Sequence, residues 1–269
     1  PDLADGADPD GVSRRPDRRH RHLDVPADLQ DVEHRGRLTM HLLVTAGPTR
    51  EHLDPVRFLS NRSTGKMGFA LAAAAAEAGH AVTLVAGPVA LDTPPGTTRV
   101  DVVSARDMLA AVQDWLPAAD VLIMSAAVAD WRPRRCAGIK LKKASMPATL
   151  ELEPNPDILK TVAPLKGERL FVGFAAETGD PAPEARRKLA AKGLDLIVAN
   201  DVSQTDAGFA VDTNRVVLIA ADGTSQALPL MSKLDVARAI MRWCEERISY
   251  SAGTSTRQET GRSSPGAFR

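Results

Sequence analysis

Between Thr45 and Gly68 the sequence carries a dense polar loop, Thr45-Ala-Gly-Pro-Thr-Arg-Glu and then Asp54-Pro-Val-Arg57-Phe-Leu-Ser-Asn61-Arg-Ser63-Thr-Gly65-Lys66-Met-Gly68. A helix that opens with Ser, Thr and Gly offers free backbone N–H groups and the positive end of its dipole, which suits a phosphate. Ser63, Gly65, Lys66 and Gly68 would then form the phosphate-binding loop. The loop fits neither familiar nucleotide template. A P-loop requires glycine where Ser60 stands, and of the dinucleotide pattern G-x-G-x-x-G only Gly65-x-x-Gly68 is present. The same residues also suit a plain glycine-eased helix start capped by Ser63 or Thr64.

Four further segments hold chemistry-bearing residues. In Ser125-Ala-Ala-Val-Ala-Asp130-Trp the small residues let the main chain approach a flat ring. Asp130 suits either a divalent cation that bridges phosphates or an ordinary turn. Lys140, Lys142 and Lys143 form a basic cluster, read either as a solvated surface or as charge that stabilises a departing phosphate. Asn155-Pro156-Asp157-Ile158 predicts a helix start with Asn155 as cap and Pro156 in the first helical position. Phe174 ends an apolar run and could stack on a base or fill core. Lys188 and Lys192, four residues apart, share one helix face and can reach one anion.

These loops need elements to hold them. Apolar runs predict strands over 41–46, 81–86, 99–103, 121–126, 170–175 and 194–199. Helical patterns occupy 66–79, 105–116, 155–165, 183–192 and 232–247. Near-continuous apolar strands alternating with helices imply a Rossmann-like, doubly wound α/β fold, with a mostly parallel sheet covered by helices on both faces. Ligands then lie past the carboxyl ends of the strands, where the winding reverses. Residues 215–221 and 226–229, joined through Asp222-Gly223, predict a small terminal β-hairpin. The lysine-bearing segment lacks helical periodicity and predicts an extended loop.

Composition narrows the function classes. Lys+Arg and Asp+Glu each number 34 in 269 residues, so no global basic field attracts nucleic acid. Cys136 and Cys244 are too few for a disulfide framework. No apolar run reaches the roughly 18 residues of a membrane span, and the first residues lack a secretion signal, so a cytoplasmic protein is expected. Residues 1–39 hold nine acidic residues, seven arginines and no Phe, Trp or Tyr. They are expected to be disordered and to precede a true start at Met40. The functional domain is expected over 40–248, with a solvated tail over 249–269.

Taken in order, AGPTRE, DPVRFLSNRSTGKMG, SAAVADW, KLKK, NPDIL, GFAAET and ANDVS resemble the bacterial phosphopantothenate–cysteine ligases, the synthetase half of the bifunctional coenzyme A biosynthesis protein. The resemblance runs from about Met40 to Arg247. It implies that 4′-phosphopantothenate and CTP form an acyl-cytidylate with Mg²⁺ assisting, and that L-cysteine then displaces CMP. It implies catalytic roles for Lys140, Asn61 and Arg57, with Asn61 orienting the acyl-cytidylate and Arg57 supporting it. It places CTP against Met124, Ser125, Ala126, Asp130, Lys140, Pro156, Asp157, Ile158, Leu159, Phe174, Lys188 and Lys192, with Asp130 serving the metal or the ribose-phosphate. It also implies a homodimer in which a strap bearing the lysines reaches the neighbouring subunit. No flavin is expected, and the flavin-dependent decarboxylase commonly fused to such domains would be a separate partner. A nucleotide-binding homologue without catalysis and a dinucleotide-dependent oxidoreductase are the alternatives, the latter disfavoured by the missing glycine fingerprint.

Overall fold

The apolar run His41–Ala46 forms the first strand, β1, and all but its first residue are buried. There follow β2 (Arg50–His52), β3 (Phe58–Ser60), α1 (Lys66–Glu77), β4 (Ala81–Ala86), β5 (Thr97–Asp101), α2 (Ala105–Trp115), β6 (Val121–Met124) and β7 (Trp131–Pro133). The second half contributes β8 (Leu152–Pro154), α3 (Ile158–Val162), β9 (Leu170–Glu177), α4 (Ala182–Lys192), β10 (Leu196–Asp201), β11 (Thr213–Ala220), β12 (Ser225–Ser232) and α5 (Lys233–Glu259). This computed structural model describes residues 39–145, 149–204, 206–208 and 210–259, without the side chains of Ser145 and 250–259. The expected disordered segment therefore lies outside the described residues except for its last member, as does the tail beyond Glu259.

The main sheet has the order β12-β11-β10-β9-β6-β1-β4-β5. From β10 to β5 every pairing is parallel, and β11 and β12 add an antiparallel hairpin at one edge. The chain winds outward from β1 through β4 to β5, then returns to β6 and winds the other way through β9 to β10. The reversal falls between β1 and β6, and the loops leaving these two strands open onto the crevice where such sheets bind ligands.

Strand residues alternate between two cores, as a sheet covered on both faces requires. Leu42 and Val44 pack with Phe69 and Leu71 of α1 and Val236 and Ile240 of α5. Leu43 packs on the other face with Met108 and Val112 of α2, Ile158 of α3 and Ala185 of α4. The doubly wound architecture and the terminal hairpin are both present.

Three local features differ from the sequence expectation. Two small hairpins, β2–β3 and β7–β8, stand where only loops are expected. The helix expected over 155–165 is reduced to α3 with a short 3-10 turn after it, and its N-cap is Asp157, which accepts from the Lys160 amide at 3.2 Å. Asn155 is not the cap. The pairing of β8 with β7 keeps the chain extended to this point, and Asn155 continues it through a 2.8 Å bond from its amide to the Asp130 carbonyl. At the other end α5 continues to Glu259, beyond Arg247, where the sequence reading ends the helix.

Candidate functional site

The loops after β1 and β6 are laced together. The Thr45 hydroxyl accepts from the Ala126 amide at 3.2 Å, and the Thr49 hydroxyl accepts from the Ala129 amide at 2.9 Å. Asn61 donates through Nδ2 to the carbonyls of Ala127 (3.0 Å) and Val128 (3.2 Å). Because Nδ2 must face two carbonyls, Oδ1 is the amide atom left to accept from a ligand. Thr45 and Thr49 are fully buried, so this lacing fixes residues 125–129 as one wall of a crevice.

That crevice is a cavity of about 550 Å³. Met124, Ser125, Ala126 and Asp130 line one side; Pro156, Asp157, Ile158 and Leu159 line the other, with Asn61, Phe174 and Lys192 completing it. Eleven of the residues expected at the nucleotide and acyl sites therefore share one enclosure. The Asn155 amide nitrogen donates to the Ala129 carbonyl at 2.8 Å and ties the two sides together. Lys192 is held by Asp157 at 3.1 Å, and Lys188 by Glu177 at 2.6 Å. Both pairs are part-exposed and contribute little to stability, so a phosphate can compete for either lysine. Lys188 itself does not line the cavity.

Asp130 is an exposed carboxylate at the rim. Among the described residues no three His, Cys, Asp or Glu side chains converge as a resident metal centre. A lone rim carboxylate fits a divalent cation that a phosphate-bearing ligand brings with it better than a resident metal.

A second, smaller cavity of about 60 Å³ adjoins the first and shares Ser125, Phe174 and Ala176 with it. Ser63, Gly65, Lys66 and Gly68, expected as a phosphate-binding loop, line it. Neither Ser63 nor Thr64 caps α1, however. Gly65 is the N-cap, in the left-handed conformation at φ 80°; its own amide donates to Ser63 Oγ at 3.3 Å, and no side chain caps the N–H groups of the first turn. The first turn thus keeps its N–H groups for a ligand. Gly68 has a packing role: a Cβ there would lie 2.4 Å from the Ala46 Cβ and 2.9 Å from the Thr45 carbonyl. The opposite wall holds Asn200, Asn214 and Lys233, which the sequence reading does not single out. Asn200 follows a buried apolar strand run, a signal that was available; Lys233 merely precedes a helical pattern.

Arg57, expected to support Asn61, bonds Asp54 and the strap in this structure. Its guanidinium grips Asp54 at 2.5 Å and donates to the Leu141 carbonyl at 2.8 Å, while Asp54 accepts from the Leu141 amide at 3.1 Å. Asp54 is fully buried, and the Arg57 hydrogen bond, opposed in part by burial, holds its carboxyl well below the usual carboxylate range. The short Asp54-to-Arg57 turn leaves the guanidinium facing the segment between β7 and β8 rather than the cavity. Arg57 and Asp54 therefore clamp that segment beside Lys140. Lys140 is exposed, lines neither cavity and has no hydrogen-bond or ion-pair partner among the described residues.

A family model described as the DNA/pantothenate metabolism flavoprotein C-terminal domain matches residues 38–248. The Coenzyme A biosynthesis bifunctional protein CoaBC of Bacillus subtilis (strain 168) is 52% identical over 203 residues, covering 75% of this chain and 50% of that protein. The protein of the same name from Escherichia coli (strain K12) is 49% identical over 209 residues, covering 76% and 50%. The chain thus spans about half the length of these relatives. The solved structure of the C-terminal domain of a Coenzyme A biosynthesis bifunctional protein CoaBC has a TM-score of 0.68 and 42% identity, covering 79% of this chain and 97% of that one.

Proposed function

The chain belongs to the family of the DNA/pantothenate metabolism flavoprotein C-terminal domain, and we propose on that premise that residues 40–248 form a CTP-dependent phosphopantothenate–cysteine ligase. The observation that carries this reading is the convergence of Asn61, Met124–Ala126, Asp130, Pro156–Leu159, Phe174 and Lys192 on one cavity at the winding reversal. The flavin-dependent decarboxylation is not assigned to these residues.

In the first step the pantothenate carboxylate attacks the α-phosphorus of CTP; a P–O bond forms and the bond to pyrophosphate breaks. In the second, the amino group of L-cysteine attacks the acyl carbon, loses a proton, and CMP leaves. The carboxylate is a poor acyl donor until its oxygen becomes part of a stable nucleotide leaving group. Ser125 and Ala126 present main-chain groups to the cytosine, and Phe174 packs beside them. Asn61 Oδ1 accepts from the incoming amine and aims it at the acyl carbon, an orienting role. Lys192 screens phosphate charge. Asp130 would hold the Mg²⁺, whose contribution when bound is to neutralise triphosphate charge. Lys140 stabilises charge from a strap that serves the second subunit of a homodimer.

The decisive assay follows pyrophosphate and CMP separately. With CTP and phosphopantothenate but no cysteine, pyrophosphate should appear as a burst of about one equivalent per site, because the acyl-cytidylate stays bound. Adding L-cysteine should give continuous turnover with CMP. Pyrophosphate release without phosphopantothenate, or none with all three substrates, defeats the reading.

A further inference from the structure

We propose that Arg132 is a positioning residue for the nucleotide crevice: it fixes the side-chain amide of Asn155, and through it the Ala129–Asp130 main chain, and so couples the root of the strap to the crevice wall. The proposal rests on the ligase reading only for which nucleotide fills the crevice.

Arg132 lies on β7 opposite Glu153 of β8, and its side chain is 15% exposed. Nη2 pairs with the Glu153 carboxylate at 2.7 Å, while Nη1 donates to the Pro154 carbonyl and to Asn155 Oδ1, each at 2.8 Å. With Oδ1 taken by the guanidinium, Asn155 turns Nδ2 to the Ala129 carbonyl at 2.8 Å. The main-chain amide of Asn155 donates to the Asp130 carbonyl, also at 2.8 Å. Ala129 is held from its other side, where its amide donates to Thr49 Oγ1 at 2.9 Å. A reversed Asn155 amide would set Oδ1 against the Ala129 carbonyl and Nδ2 against the guanidinium. Neither contact could form a hydrogen bond, and four polar groups would lose their partners. The cation therefore decides which way the amide faces.

Asn155, Ala129 and Asp130 line the cavity, whereas Arg132 does not. Arg132 acts at one remove, on the placement of the Asp130 carboxylate and of the main chain beside it. The same guanidinium spans β7 and β8, the two strands between whose ends the strap runs from Pro133 to Leu152. A strap movement that parts Arg132 from Glu153 and Pro154 releases the Asn155 amide, and a strap held in place fixes it. The planar guanidinium serves three acceptors at once; an ammonium is a point charge without that fork. Occupancy of the strap and affinity in the crevice are thereby linked through one side chain.

The test uses the full chain and CTP with Mg²⁺, titrated calorimetrically in the absence of phosphopantothenate so that no turnover occurs. Arg132→Gln and Asn155→Ala should each weaken CTP binding by about tenfold. The double variant should bind no more weakly than Asn155→Ala alone, because Arg132 acts through Asn155 and the two losses are one. Arg132→Lys keeps a cation beside Glu153, which protects the hairpin, and it should still show most of the loss; it keeps the test valid if Arg132→Gln impairs folding. In steady state the Arg132 variants should raise KM for CTP and leave KM for L-cysteine unchanged, a split that general loosening of the fold would not produce. Parental CTP affinity in a folded Arg132 variant, or losses that simply add in the double variant, overturns the positioning role. Either result leaves the ligase reading standing if turnover persists. A parent that binds CTP with the coupled losses but shows no turnover with all three substrates sinks the ligase reading alone, and a parent that does not bind CTP overturns both.

Discussion

At the residue scale, the two cations beside the strap have different tasks, and their substitutions should separate. Lys140 has no described partner to lose, so Lys140→Gln should leave the melting temperature unchanged. A charge placed where phosphate charge develops, out of water, is worth about 10²–10³ in rate, and that loss should persist at high salt. Lys142→Gln and Lys143→Gln serve as controls, with small effects that fade as salt is added. Equal, salt-erased effects in CMP formation for all three would reduce the lysines to a general phosphate attractor. The Asp54–Arg57 clamp acts on structure instead. The Asp54 carboxyl sits below its unfolded value of about 3.9 because Arg57 bonds it. Its contribution to stability is therefore complete above that value and is lost as pH falls through the folded one. Asp54→Asn should lower the melting temperature at pH 7 and flatten its decline below pH 4. It should also speed tryptic cleavage at Arg134, Arg135 and Lys140, because the Leu141 amide and the Arg57 guanidinium lose a shared anchor. An unchanged digestion rate would show that the strap needs no clamp.

At the scale of elements, long apolar runs were readable and short pairings were not. β1, β4, β6, β9 and β10 are buried runs whose composition alone marks them, and the parallel order follows from the helices between them. The hairpins β2–β3 and β7–β8 have three-residue strands, too short to show a period. The partners of β7 and β8 are also separated by the whole strap, so nothing local announces them. That omission moved the expected cap from Asp157 to Asn155 and hid the Arg57 clamp. The crevice residues were legible because they sit at strand ends and helix starts; the Asn200–Asn214–Lys233 wall was not, because three distant elements build it. Gly68 was read for its chemistry, yet its packing is the sharper constraint. Gly68→Ala drives a Cβ into Ala46 and the Thr45 carbonyl. Overpacking of that kind typically costs 1–3 kcal/mol, so about that loss is expected in denaturant unfolding. A variant as stable as the parent would mean that α1 slides away from β1 without cost, and its phosphate affinity should then fall instead.

At the scale of the whole molecule, six of the nine exposed large hydrophobic residues among the described residues lie on the two small hairpins and the strap: Val56, Phe58, Trp131, Ile139, Leu150 and Leu152. The hairpins adjoin, since the Ala137 amide donates to the Leu53 carbonyl at 2.9 Å. Apolar side chains concentrated on one such surface favour association, which supports the proposed homodimer and explains why Lys140, on the same strap, misses its own protomer's cavity. Two-fold pairing makes this testable by complementation. If each strap serves the opposite subunit, a site combines Asn61 from one chain with Lys140 from the other. A heterodimer of one Lys140→Gln chain and one Asn61→Ala chain, co-expressed and isolated through two different tags, then has one doubly damaged site and one intact site. It should show about half the parental turnover, whereas both parent variants as homodimers should be nearly inactive. If Lys140 instead works within its own chain, each site of the heterodimer carries one lesion and activity stays at the level of the weak homodimers. Measuring CMP formation by the purified heterodimer separates the two arrangements in one comparison, and a heterodimer that is no faster than its parents would return Lys140 to its own subunit.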